Sequence, residues 1–105
     1  MNHQDDVVDT YRTRDGLVHF TFRFVPSGSR YEVDVLDTPP YDLFEYRNTD
    51  QHVTHRIDSD RGGDQICFGN PHSIQTLQDC RKWARTWAEN TWYYIRTGIE
   101  MANTE

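Results

Sequence analysis

The stretch VHFTFRFV, residues 18–25, places Val18, Phe20, Phe22 and Phe24 at every second position, with His19, Thr21 and Arg23 between them. Successive side chains of an extended chain point to opposite faces, so the run reads as a half-buried strand whose apolar face must meet a second layer. The turn residues PSGS follow at 26–29, and Tyr31, Val33 and Val35 then alternate with Glu32 and Asp34. Pairing Val25 with Arg30 across a four-residue loop sets Phe24 opposite Tyr31, Phe22 opposite Val33 and Phe20 opposite Val35. The same register brings Arg23 to Glu32 on the other face. Apolar and charged pairs are satisfied together, which predicts a hairpin over 18–36.

A second hairpin is expected over 52–69, in the stretch HVTHRIDSDRGGDQICF and its flank. With 58–65 as the turn, Ile57 pairs with Ile66 and His55 with Phe68, which gathers Val53, His55, Ile57, Ile66 and Phe68 on the inner face. Thr54, Arg56, Gln65 and Cys67 then lie outside. The glycines of DSDRGGD suit a turn. Asp58, Asp60 and Asp64 come close together, but a calcium loop of the EF-hand kind needs a Glu at its twelfth position, and 67–69 offers none. His52 and His55 fall on opposite faces of a strand, so the metal candidates His52, His55 and His72 do not have the spacing of a compact zinc site. His55 remains the chemical candidate: an inward imidazole needs a partner, and beside Asp58 it could serve as general acid or base.

Between the hairpins, residues 37–51 break the strand pattern with Pro39 and Pro40, neither of which can donate to a ladder. The segment still carries Tyr41, Leu43, Phe44 and Tyr46, which suits either a strap over the core or a binding loop. The last long run, 76–98, has helical periodicity. Thr76 with Asp79 resembles a capping box, and Arg96 followed by Gly98 suits a C-terminus. Leu77, Cys80, Ala84, Ala88, Thr91 and Ile95 form its apolar stripe, widened by Trp87 and Tyr94, with Trp83 and Trp92 on the margins. Lys82, Arg85, Glu89 and Arg96 are expected to face solvent.

These elements predict a two-layer α+β domain: an antiparallel four-stranded sheet of two hairpins, with one long C-terminal helix packed on one face. Residues 1–16 read as an acidic N-terminal arm or short edge element, 17–98 as the domain and 99–105 as a tail. At 105 residues there is material for one core, and 14 aromatics argue that it folds.

The net charge of −6 disfavours direct nucleic-acid binding, which needs a basic face. No apolar run is long enough to cross a bilayer, and MNHQDDVVD lacks the features of a signal peptide, so a cytoplasmic location is expected. Cys67 and Cys80 fit no ligand spacing and are expected as two free thiols. No cofactor is expected. With no catalytic motif and an excess of Tyr, Trp and Arg, the chain is expected to be a non-enzymatic adaptor or inhibitor that binds another protein. The candidate binding residues are Tyr41, Phe44, Tyr46 and Arg47 in the connection, and Trp92 and Tyr93 on the exposed side of the helix. A second reading is a small hydrolase or metal-dependent enzyme using His55 and Asp58. A third is an inhibitor of a nucleic-acid-binding protein that mimics phosphate charge, which clustering of Glu32, Asp34, Asp37 and Asp42 on one face favours. An outer sheet face with Thr21, Arg23, Thr54 and Arg56 also offers a place for a second copy.

Overall fold

In the computed structural model, which describes residues 5–69 and 74–100, one antiparallel sheet carries one long helix on one face. The strands are β1 (Val7–Arg12), β2 (His19–Ser27), β3 (Arg30–Asp37), β4 (Arg56–Asp58) and β5 (Asp64–Ile66), in the order β1-β2-β3-β5-β4. A single helical turn α1 (Gln51–Thr54) precedes β4, and α2 (Leu77–Thr97) supplies the second layer. The architecture is the expected α+β one, with five strands instead of four because Val7–Arg12 pairs along β2 as an edge strand. Phe20, Phe22, Phe24 and Val33 from the sheet meet Cys80, Ala84, Trp87, Ala88 and Ile95 from α2 in the core.

The first hairpin is tighter than the sequence suggested. Ser27 pairs with Arg30 around a two-residue turn, so Phe24 faces Val33, Phe22 faces Val35 and Arg23 faces Asp34. Gly28, at the first turn position, has φ +64, the conformation a tight hairpin of this type asks of a glycine. Pro26 is therefore a strand residue opposite Tyr31. It is tolerated because its ring nitrogen points away from β3, toward a stretch where β1 has already ended. From the turn to Phe22 the register moves by two residues, an even number, so those side chains keep the faces they were expected to have; between Phe22 and Thr21 a bulge shifts it once more and sets Thr21 opposite Asp37.

The second hairpin moves by an odd number, and the faces of β4 exchange, while Ile66 stays in the core and Cys67 outside as expected. Residues 51–54 form a helical turn instead of the start of a strand: the Asp50 carbonyl accepts from Val53 and Thr54, and His55 closes the turn with φ 56. Pairing then runs Arg56 with Ile66, Ile57 with Gln65 and Asp58 with Asp64. Arg56 accordingly lies on the helix side, in an ion pair with Asp64 at 3.0 Å and with its guanidinium 4.6 Å from the centre of the Tyr41 ring. Thr54, expected on the outer face, is fully buried.

The caps of α2 are those expected. The Asp79 N–H donates to the Thr76 hydroxyl, and Gly98, at φ 77, donates its N–H to the Tyr94 carbonyl. Glu89 departs from its expected solvent face, because its carboxylate accepts from the Tyr11 hydroxyl and the Arg14 backbone N–H. With Arg81 bound to Asp9 and Trp92 to Asp15, three polar links fasten β1 and the turn after it onto α2. No helix among the described residues is long and apolar enough to cross a membrane.

Candidate functional site

The connection 38–50 is a strap along the C-terminal half of α2, stitched down at two places. Tyr41 tucks its ring beneath Arg56 and against Tyr94, with ring centroids 6.4 Å apart in the latter pair. Burial pushes its phenol up to about 12. Farther on, Arg47 donates from Nε to the Tyr94 carbonyl, and the Tyr94 hydroxyl donates to the Asn48 carbonyl. The Tyr94 carbonyl, which already accepts from the Gly98 N–H, lies in the last turn of α2, so a guanidinium there adds a second hydrogen bond and complements the helix dipole.

Between these anchors the strap turns outward. Phe44 is 59% exposed and Tyr46 83%, although both are large enough to have been buried. Phe44 lies over Trp92 at 6.1 Å between ring centroids. Trp92 was expected on the exposed side of the helix but retains only 3% of its surface, since its indole N–H donates to Asp15 and its ring is covered by Phe44 and Arg96. Arg96 also reaches over the half-exposed Tyr93. On the other side of the strap, Leu43 and Leu17 face a groove of about 270 Å³ together with Val18, His19, Pro39 and Pro40. Leu43 shares this groove with Leu17, which is 70% exposed, while Phe44 lies on Trp92 and Tyr93 under Arg96, so the exposed apolar side chains of this region are Leu17, Leu43, Phe44 and Tyr93. Tyr46 stands apart with Asp42 and Thr49, in a shallow recess beyond Tyr41 and Arg47.

Of the candidate binding residues, Tyr41 and Arg47 are anchors, Phe44 and Tyr93 flank Trp92, and Tyr46 is the most exposed. Leu17 was not foreseen. Its only signal was an apolar residue directly after the turn RDG, where a polar one is ordinary.

The histidine candidates do not converge. His52 is exposed on α1, and His55 caps that turn, its carbonyl accepting from the Cys67 N–H instead of its ring lying opposite Phe68. Asp58 is exposed at the end of β4, and His72 lies outside the described residues. Among the described residues no three His, Cys, Asp or Glu side chains are grouped as metal ligands.

The loop DSDRGGD has a role beyond turning. It folds over the outer face of the sheet, where Ser59 donates to Asp34 Oδ1 at 2.8 Å and Arg61 takes both carboxylate oxygens, Nε to Oδ2 at 2.7 Å and Nη2 to Oδ1 at 2.8 Å. Arg61 also binds Glu32 at 2.8 Å, and Arg23 stands 3.8 Å from Asp34. Burial alone would raise the Asp34 pKa, but the bonds from Arg61 and Ser59 and the charges of Arg61 and Arg23 outweigh it and hold the carboxyl below its usual range. Of the four carboxylates in the charge-mimicry reading, Asp34 and Glu32 are therefore matched by arginine, Asp37 pairs with His19 at 3.3 Å, and Asp42 sits in the strap.

Both cysteines are free, Cys67 exposed and Cys80 buried. Burial, with the charge of Asp79 adding to it, pushes the Cys80 thiol up to about 12. A thiol-specific reagent at neutral pH is expected to modify one cysteine per native chain, Cys67, and both only in denaturant; mass mapping of rapid native labelling to Cys80 would contradict the packing. Comparison with known proteins returned no match to this chain among protein-family models, curated proteins or solved structures.

Proposed function

We propose that the chain is a protein-interaction module, an adaptor or inhibitor that docks another protein through the exposed apolar side chains Leu17, Leu43, Phe44 and Tyr93. The observation that carries this reading is the outward turn of the strap. Its two ends are fixed by Tyr41 and Arg47, yet the residues between them hold Leu43 and Phe44 toward solvent over a buried Trp92. An apolar side chain held out by a fastened backbone is pre-organised, so little conformational entropy is lost when a partner covers it. Aromatic and arginine side chains around a desolvated centre are the composition of interface hot spots. Two thiols without a disulfide between them are in keeping with a reducing compartment, and the reading includes a cytoplasmic location.

The test is capture from host extract on immobilised protein at low and moderate salt, followed by reconstitution with the purified partner. Phe44→Asp is expected to weaken the reconstituted complex by about thirtyfold, the loss of a hot spot, with only a small fall in melting temperature, because more than half of the side chain is exposed and its ring contact is with Trp92. Retention of no stoichiometric partner, or equal affinity of Phe44→Asp, would defeat the proposal.

A further inference from the structure

The outer edge of β1 is, among the described residues, an unpaired strand edge. Its hydrogen-bonding direction follows from the turn after it: the Thr13 N–H donates to the Val18 carbonyl, which makes 13 and 18 a bonded pair in the same register as Tyr11 with Phe20 and Val7 with Phe24. In an antiparallel ladder bonded pairs alternate, so the odd residues of β1 direct their N–H and C=O groups to β2. Val8, Thr10 and Arg12 direct theirs to the free edge. β1 contains no proline and no lysine, and its pairing with β2 is continuous, without a bulge; its charged side chains are Asp9, which is bound to Arg81 of α2, and Arg12, which donates to the Gly16 carbonyl. Val8, on the face away from α2, is 58% exposed.

We propose that this edge pairs with the same edge of a second copy, antiparallel about a two-fold axis at Thr10, to make one sheet across both chains. The charge pattern supplies the complementarity. Asp5 and Asp6 precede the strand, while Arg12 ends it and Arg14 follows, so antiparallel pairing sets the acidic end of one copy against the basic end of the other. Centring on Thr10 makes Thr10 with Thr10 and Val8 with Arg12 the bonded pairs, all with groups that point outward. Asp9 then faces Tyr11, and Asp6 lies diagonal to Arg12 on the same face, within reach of a long side chain. Centring on Asp9 would instead set two carboxylates directly opposite each other, which is unfavourable. The contact is an edge and not the outer sheet face, part of which the 59–63 loop occupies.

The test is the mass in solution by light scattering and sedimentation as concentration is raised, against a chain mass of 12.5 kDa. The natural chain is expected to approach twice that mass. Thr10→Pro removes an N–H that the internal ladder does not use, and Val8→Lys places a charge on the edge; each is expected to shift dissociation to at least tenfold higher concentration with α2 helicity unchanged. In a Cys67→Ser background, Thr10→Cys is expected to form an intermolecular disulfide. A chain that stays monomeric at millimolar concentration overturns the proposal, and so does a dimer indifferent to Val8→Lys, the variant that remains decisive should Thr10→Pro fail to fold. A dimer that Val8→Lys weakens but that Thr10→Cys does not cross-link overturns the Thr10-centred register.

Discussion

Trp87→Ala is expected to lower the unfolding free energy by about 3–5 kcal/mol, the range for an aromatic removed from a packed core. Trp87 is fully buried, and its ring meets Phe20 and Phe22 edge-on at 5.8 and 6.0 Å between centroids, with interplanar angles of 79° and 76°. Edge contacts of this kind add to the apolar area that the side chain buries. The indole N–H has a separate job, since it donates at 3.0 Å to the Thr54 carbonyl and so ties α1, and the start of β4, to the middle of α2. Truncation leaves a cavity between the two layers and strands a carbonyl of a fully buried residue. Trp87→Phe keeps most of the ring and loses the donor, and is expected to cost less, about 1–3 kcal/mol from the unsatisfied carbonyl and the reduced volume. A domain of this size has about 5–15 kcal/mol in all, so the alanine variant falls close to the folding threshold. Urea unfolding followed by circular dichroism measures both; a loss below 1 kcal/mol for Trp87→Ala would mean that the layers are not held together at this ring.

The contrast between the two hairpins shows what a single sequence reveals. In VHFTFRFV the alternation is long enough to define a face by itself, so misjudging the turn by two residues left Phe20, Phe22 and Phe24 pointing at the helix. HVTHRI has no such redundancy, with only Val53, Ile57 and the ambiguous His55 to mark a face. Its first residues form a helical turn whose bonds go to Asp50, outside the presumed strand, and one residue of slip then exchanged Arg56 with Ile57. The ends of α2 were legible because caps are local: Thr76 and Asp79 lie three residues apart, and Gly98 follows the helix directly. In the candidate site, Tyr41, Phe44, Tyr46 and Arg47 were recognisable as aromatic and arginine side chains in a loop, but their division into anchors and exposed residues depends on contacts with Tyr94 and Trp92 about fifty positions away. Asp34 is the clearest case of the same limit. Its neighbours in sequence suggest an ordinary outer-face carboxylate, and only the loop carrying Ser59 and Arg61 makes it a buried one.

That clamp gives the second large effect. Arg61→Ala leaves the Asp34 carboxylate, 3% exposed, with only Ser59 and the more distant Arg23, and is expected to cost about 2–4 kcal/mol, below the full penalty of a broken buried pair because a quarter of the Arg61 side chain is already in water. The pH dependence has a definite sign. A carboxyl whose folded pKa is depressed adds stability above its unfolded pKa of about 3.9, and that contribution is lost as pH falls through the folded value. In Arg61→Ala the burial that raises the Asp34 pKa is opposed only by Ser59 and Arg23, so the folded pKa moves up and acid unfolding is expected to begin at a higher pH than in the natural chain. The double replacement Asp34→Leu with Arg61→Met separates the pair from its parts. Breaking a buried pair is costly chiefly because one charge stays behind, whereas replacing both members with apolar groups of similar size is often neutral. The double variant is therefore expected to recover most of the stability lost in Arg61→Ala and to lose the acid-dependent component that Asp34 contributes. A double variant as unstable as the single one would mean that the carboxylate acts through the loop it holds in place, and not through the cost of its own unmatched charge.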